Sequence, residues 1–411
     1  MSVHKLTPLL IDKLDALKHK GALKGQEMVI TGLKAGEGKK GPRFFIKGFG
    51  GKEFIRMNSN SYLGMSLRKE IIETEEQAAR KYGVGPGAVR FISGTYEPHV
   101  ELERRLANFH NRQSAVIFSS AYSSVLGTLV SLIDKDTVVV SDQLNHNCII
   151  NAVRLARPTV KTVYKHSNMT DLEEKIIASR GKGKRVLLVT DGIFSMRGDY
   201  APLDKISEIV ENYDYEFPGG ITTVVDDSHG IGAFGETGRG TEEYTKATGI
   251  DIIVATLGKS LGVNGGYVVA DSTIISYLRE TAPFYIYSNP ITPSEASSAI
   301  KAVDILDSEI GRKLLRHLLK MTNRIENGLT DLGYEIIESD HPVVPLMIRD
   351  TNKTADLVRF LFEEGIMTTG LNYPVVPKGD EEIRFQISAD HTEYDIDYVL
   401  EILKKYKEKT V

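Results

Sequence analysis

The stretch DIIVATLGKSLGVNGGYVVAD, residues 251 to 271, holds two apolar runs joined by a glycine-rich turn that carries one lysine. Short runs rich in valine and isoleucine, bounded by turn residues, read as strands buried on both faces. Lys259 stands where the first run ends. An ammonium taken out of water is costly unless it is paired or chemically used, so its place needs a reason. The triplet Gly258-Lys259-Ser260 has the ending of a phosphate-cradling Walker loop, but the upstream glycine of that loop falls on Ile253. The cradle is therefore excluded.

Working outward, the same rhythm extends from about residue 60 to 290. Candidate strands are AVIFSS (115–120), TVVVSD (137–142), KTVYKH (161–166), RVLLVTDG (185–192), ITTVVDDSH (221–229), DIIVATLG (251–258) and GGYVVAD (265–271). Helical patterns such as PHVELERRLANF, NCIINAVRLA and APLDKISEIVENY lie between them. Alternating strands and helices predict an α/β domain with a mostly parallel seven-stranded sheet. Several strands finish in polar residues, Asp142, Asp191, Asp226 and Lys259, and ligands of open α/β sheets lie beyond the carboxyl ends of the strands. After about 290 a long helical region leads to YEIIES, VVPLMI, LVRFLFEEG and EIRFQISA, which predicts a smaller α+β domain. The expected boundaries are 1–59 for an N-terminal helix and loop or hairpin, 60–292 for the large domain and 293–411 for the small one. The opening MSVHKLTPLLIDKLDALKHKG places Leu10, Leu14 and Leu17 at helical spacing, as a docking or dimer helix would.

A chain of 411 residues with 41% hydrophobic and 26% charged residues is ordinary globular material for about two domains. Its net charge of -4 lacks the basic footprint of a nucleic-acid binder. The lone Cys148 excludes an intramolecular disulfide and an all-cysteine metal site. No apolar run approaches the roughly 18 residues of a membrane span. Together these predict a cytoplasmic enzyme with neither membrane span nor metal.

The stretch VVDDSHGIGAFGETGRG (224–240) sets two acids and a histidine at a strand end before a run of glycines. Its GIGAFG satisfies G-x-G-x-x-G literally, which would support a dinucleotide-dependent oxidoreductase. That fingerprint needs the strand to run straight into its first glycine and an acid at the end of the next strand. Here Asp226-Asp227-Ser228-His229 intervene, and Asp251 opens a strand. Acid, histidine and Lys259 taken as one site suit an aldehyde cofactor with a pyridine ring: the lysine forms a Schiff base, and the acid holds the ring nitrogen protonated.

Five segments, YGVGPGAVRFISGTYEPHVELERRLA, SDQLNHNCII, VDDSHGIGAFGETGRG, TLGKSLG and YPVVPKGDEEIRFQISADHT, resemble in order and over nearly the whole chain the α-oxoamine synthases. Those are pyridoxal-phosphate enzymes of fold type I that condense an amino acid with an acyl-CoA. The motifs are nearest to the glycine C-acetyltransferase branch. The resemblance implies pyridoxal 5′-phosphate bound covalently to Lys259, which would also carry the α-proton, and Asp226 paired with the pyridinium nitrogen. His146 would stack on the ring, and His229 would bond its O3′ or the substrate carbonyl, with Ser195 near the same oxygen. Ala121 and Tyr122, at a helix start, and Thr256 would take the phosphate. Ser288 and Asn289 would reach the phosphate of a neighbouring subunit, which implies a homodimer with a shared site. Arg384 and Asn60 would hold the substrate carboxylate.

The expected reaction joins glycine to acetyl-CoA with release of CoA. The chain departs from that branch at SSAYSSVLG, at the turn SLGVNGG and at YDYEFPGG (213–220). Those departures touch substrate choice, so a longer acyl-CoA, as used by serine palmitoyltransferase or 8-amino-7-oxononanoate synthase, is the alternative.

Overall fold

The computed structural model describes residues 3–19, 23, 27–373 and 375–410. Pro374 of the YPVVPKG motif and residues 1–2, 20–22 and 24–26 of the N-terminal segment lie outside them. The chain forms two compact units: Asn60–Thr322 with Ser339–Pro342, and Met1–Ser59 with Asn323–Glu338 and Val343–Val411.

The larger unit is built on seven strands: β1 (Ser114–Phe118), β2 (Thr137–Asp142), β3 (Val160–Tyr164), β4 (Arg185–Asp191), β5 (Ile221–Asp226), β6 (Ile252–Thr256) and β7 (Gly266–Ala270). Their order across the sheet is β1-β7-β6-β5-β4-β2-β3. Only β7 runs antiparallel to its neighbours, β1 and β6. The remaining pairs, β6-β5, β5-β4, β4-β2 and β2-β3, are parallel. The expected mostly parallel seven-stranded sheet is thus present. Valine and isoleucine suit it because helices on both faces leave the central strands no solvent-facing side. Val138, Val139 and Val140 are all 0% exposed, as successive residues are only when both faces are covered.

Two helices start close behind strand ends and pack on one face of the sheet. Helix α1 (Ala121–Leu132) begins directly after β1, and Ser120 caps it by accepting from Ser123 N. Ser120 keeps extended backbone as the cap residue, and the expected strand AVIFSS ends at Phe118. Helix α2 (Asn147–Ala156) follows β2 and is capped by His146, whose ring accepts from Cys148 N. Both pack against one apolar cluster that includes Val116, Phe118, Leu129, Ile149 and Val254. Gly127 allows the approach of α1, since a Cβ there would lie 2.6 Å from the Phe118 ring.

The boundaries differ from the expected ones for a packing reason. Helix Pro293–Leu306, expected to open the small domain, packs on helices Lys69–Tyr82 and Glu97–Phe109 of the large unit. Residues 1–59, expected as a separate segment, group with the C-terminal part. There Ile55–Arg56 pairs in parallel with Ile366–Met367. Buried Asp395 accepts from Gly41 N at 2.9 Å and forms an ion pair with Arg43. The smaller unit carries a four-stranded sheet in the order Glu335–Ile336, Val343–Met347, Glu382–Gln386, Thr369–Leu371. The lysine- and glycine-rich stretch expected as a loop or hairpin contains the antiparallel pair Ile30–Lys34 and Arg43–Ile46. Helix Val3–His19 buries none of its residues.

Candidate active site

Parallel pairing in register brings the strand ends together. Asp191 and Asp226 are directly opposed at the ends of β4 and β5, and Asp226 is level with Val254 in β6. Lys259 follows β6 in the turn that leads to β7. These three line one cavity. His146, His229 and Ser195 line it too, as do Ala121 and Tyr122 at the start of α1. Cys148, Ile193 and Ser228 complete the wall. Asp142, the fourth polar strand end, is absent from it.

Asp226 is 7% exposed, and its carboxylate accepts from Ser228 N at 3.1 Å and from Cys148 Sγ at 3.5 Å. A carboxylate offers about four lone-pair sites, so one amide and one weak thiol donor leave capacity for a cationic N–H from the cavity. Ser228 Oγ is buried without a hydrogen-bond partner among the described residues. Such an orphan hydroxyl is uncommon unless a ligand or water supplies the partner. A protonated pyridine nitrogen against Asp226 is therefore compatible with the donors present.

His146 both caps α2 and lines the cavity. Its Nδ1 accepts from Cys148 N at 3.3 Å, which puts the proton of the neutral ring on Nε2. Burial lowers its pKa, opposed by the Asp226 charge and reinforced by Lys259, so the ring is kept neutral. Its backbone N–H donates to Asp191 Oδ2 at 2.7 Å. Asp191 is itself raised well above the carboxylate range, first by burial and then by the charge of Asp226. The Cys148 thiol is pushed up by burial and the adjacent acids and stays protonated.

His229 Nδ1 lies 2.8 Å from Tyr62 Oη, and His341 Nε2 lies 2.9 Å from the His229 carbonyl. Tyr62 is 0% exposed and also approaches Asn60 Oδ1 at 3.4 Å. Asn60 thus belongs to the surroundings of His229. Tyr62 and His341 escaped sequence reasoning because each lies more than a hundred residues from His229. The signal that could have found Tyr62 is the polar, glycine-ended NSNSYLG that holds Asn60.

Thr256, Ser288 and Asn289 are not among the residues that line this cavity. Thr256 Oγ1 accepts from Gly258 N at 3.0 Å and donates to the Gly265 carbonyl at 3.2 Å, so the hydroxyl braces its own turn. Ser288 Oγ is 3.4 Å from Ser119 Oγ of the same chain, next to the cap of α1. Neither Ser288 nor Asn289 lines the cavity. Arg384 lies in the smaller unit, mid-strand in Glu382–Gln386, opposite Pro345 and Thr369.

The profile of aminotransferase class I and II matches residues 52–403. The chain belongs to that family. It is 36% identical over 405 residues to an 8-amino-7-oxononanoate synthase of Thermoanaerobacter pseudethanolicus, with 98% of each chain covered. A serine palmitoyltransferase of Sphingomonas wittichii superposes with a TM-score of 0.87 at 25% identity, over 99% of this chain and 98% of that one. A serine palmitoyltransferase solved with pyridoxal phosphate superposes equally, with a TM-score of 0.87, 25% identity and the same two shares, 99% and 98%. The protein is accordingly a pyridoxal-phosphate-dependent enzyme of the α-oxoamine synthase type, with the fold-type I architecture.

The similar curated proteins bear the name of the alternative branch, not of the glycine C-acetyltransferase branch toward which the motifs lean. Those motifs carry Asp226, Lys259, His146 and His229, polar residues whose chemistry does not depend on the length of an acyl chain.

Proposed function

We propose that the protein makes 8-amino-7-oxononanoate, or a close homologue of it, by joining an amino acid to an acyl thioester with loss of the thiol and of carbon dioxide. The carrying observation is identity of 36% over almost the full length to a protein of that name. The product's carbon skeleton defines the reactants. An amino group next to a terminal methyl corresponds to alanine that has lost its carboxylate, and the seven remaining carbons to a dicarboxylic acyl chain.

Pyridoxal phosphate, when bound, supplies an aldehyde for the amine and a ring that accepts the electron pair left on the α-carbon. Everything else falls to side chains. Lys259 Nζ would anchor the aldehyde and carry the α-proton. Asp226 keeps the ring nitrogen protonated, because a buried carboxylate beside it makes the neutral ring the less favourable form. His146, held neutral and fixed by Cys148 N, offers a flat apolar face to the ring. His229, with Nδ1 engaged by Tyr62, presents Nε2 to an oxygen on the ring or the substrate. The amides at the start of α1 favour the phosphate, since the helix dipole adds to their unpaired N–H groups. Arg384 is assigned to the substrate carboxylate because a guanidinium matches it bidentately. Ser288 and Asn289 are assigned to a second subunit's phosphate, as in a homodimer.

The deciding experiment is a thiol-release assay with glycine, alanine and serine crossed against acetyl, succinyl, pimeloyl and palmitoyl thioesters. Fastest release from alanine with the pimeloyl thioester is expected. A preference for glycine with acetyl-CoA would return the protein to the acetyltransferase reading, and no release from any pair would overturn the synthase reading itself.

A further inference from the structure

Beside the cavity, in none of the roles assigned to its lining, a histidine is held between two carboxylates. His166 follows β3, and its Nδ1 lies 3.0 Å from Asp142 Oδ1 while its Nε2 lies 3.1 Å from Asp199 Oδ2. The edge of its ring meets Phe194 at 4.3 Å between centroids, with the planes at 81°. Each acid is also tied to a loop, Asp142 through its carboxylate and Asp199 through its main-chain carbonyl. Asp142 accepts from Leu144 N at 2.8 Å and Ser167 N at 3.0 Å. Leu144 begins the loop that delivers His146. Asp199 closes the other loop: Phe194 N donates to the Asp199 carbonyl and Gly198 N to the Phe194 carbonyl, both at 2.9 Å. Ser195 rides inside that closed turn and lines the cavity.

We propose that His166 is a positioning residue: as an imidazolium it ties Asp142 to Asp199 and so holds the His146 loop and the Ser195 loop in one fixed arrangement around the cofactor cavity. The inference rests on the roles proposed for His146 and Ser195 in cofactor binding. A neutral imidazole has one N–H and can donate to one carboxylate only, which would leave the other facing a lone pair. Both contacts are satisfied together only by the doubly protonated ring. Other groups facing the clamp are Arg197, whose Nε donates to Asp199 Oδ2 at 2.9 Å, and the buried Tyr164 at the end of β3. Tyr164 is held protonated by burial and by the Asp142 charge and adds no negative charge. Burial opposes the imidazolium, but Asp142 and Asp199 outweigh it and raise the pKa to about 9.

The ring is followed by NMR of histidine-labelled full-length protein, with and without pyridoxal phosphate. Deuterium exchange is measured on segments 142–148 and 192–200, in the wild type and in His166→Gln. The expected titration midpoint lies near 9, and protection in both segments falls as pH rises through it. In His166→Gln, protection in both should already be lost at neutral pH by about tenfold, the scale of one hydrogen bond to a charged group, while the sheet core keeps its protection. Affinity for pyridoxal phosphate should fall with it. A midpoint at or below the ordinary histidine value, or unchanged exchange in a folded His166→Gln, overturns the proposal. Should His166→Gln not fold, the wild-type titration with its exchange profile decides alone. None of these measurements uses an acyl thioester, so a wrong substrate assignment leaves their outcome unaffected.

Discussion

Lys259 needs a reason because it ends a buried strand, and the cavity supplies one: Asp226, Asp191 and His146 stand around it. Replacing Lys259 by Ala should lower the thiol-release rate by about 10²–10⁴, the usual weight of one positioned proton carrier. Borohydride reduction and peptide mapping should place the pyridoxyl group on Lys259; label on another lysine would remove it from this role. Tyr62 belongs to the same scale. Its hydroxyl engages His229 Nδ1, so Tyr62→Phe should cost about tenfold in kcat with little change in KM. An equal fall for a His229→Ala and a Tyr62→Phe/His229→Ala protein would show that Tyr62 acts through the histidine. A further fall in the double variant would show that it acts otherwise. Asp227, next to Asp226, has a structural duty. Its carboxylate accepts from Thr241 N and Thr241 Oγ1, both at 2.7 Å.

Elements are set by what their ends tolerate. In the turn SLGVNGG two glycines stand where a side chain would meet neighbouring backbone. A Cβ on Gly262, at φ 73°, would lie 2.4 Å from Ser66 N, and one on Gly266 would lie 2.3 Å from Ala121 N. They make space for neighbouring backbone, above all for the start of α1. Gly266→Ala should therefore destabilise the fold by roughly 1–3 kcal/mol, as overpacking does, and weaken pyridoxal phosphate binding by displacing α1. Calorimetry and cofactor titration test both, and normal binding in a folded variant would contradict the contact. The loop after β5 has its own limit. Burial raises the Asp227 carboxyl to about 7, opposed by the bonds from Thr241. The folded pKa lies above the unfolded one, so folding is favoured by protonation. Stability should fall as pH rises from about 4 to about 7 and level off beyond. Asp227→Asn should flatten that slope in melting curves, and an unchanged slope would assign it to another group.

At the scale of the whole molecule, helix Val3–His19 stands apart with Leu6, Leu10, Leu14 and Leu17 all exposed. An amphipathic helix with an uncovered apolar stripe fits association between copies of the chain, in line with the homodimer implied by the family resemblance. Removing residues 1–19 should lower the mass measured by light scattering or weaken the dimer; an unchanged dimer would place the contact elsewhere. Much of the site was legible before the fold. Asp226, His229 and Lys259 stand at strand ends that local periodicity marks, and His146, Ala121, Tyr122 and Ser195 were implied by the family resemblance. They meet in one cavity. What local pattern could not mark were partners distant along the chain: Tyr62 for His229, Cys148 for Asp226, and the pair Asp142 and Asp199 for His166. Nor could it mark the bonds of the Thr256 hydroxyl to Gly258 N and the Gly265 carbonyl.

The amino-acid sequence by itself marked the strand-and-helix rhythm, the polar strand ends and the grouping of a lysine, an acid and a histidine at such ends, because these depend on neighbours a few residues away. The order β1-β7-β6-β5-β4-β2-β3 was decided only by tertiary structure. That order places the ends of β4, β5 and β6 side by side and leaves Asp142, at the end of β2, to His166. Sheet order depends on which apolar faces and backbone edges satisfy one another across the whole unit, and no short stretch of sequence contains that balance.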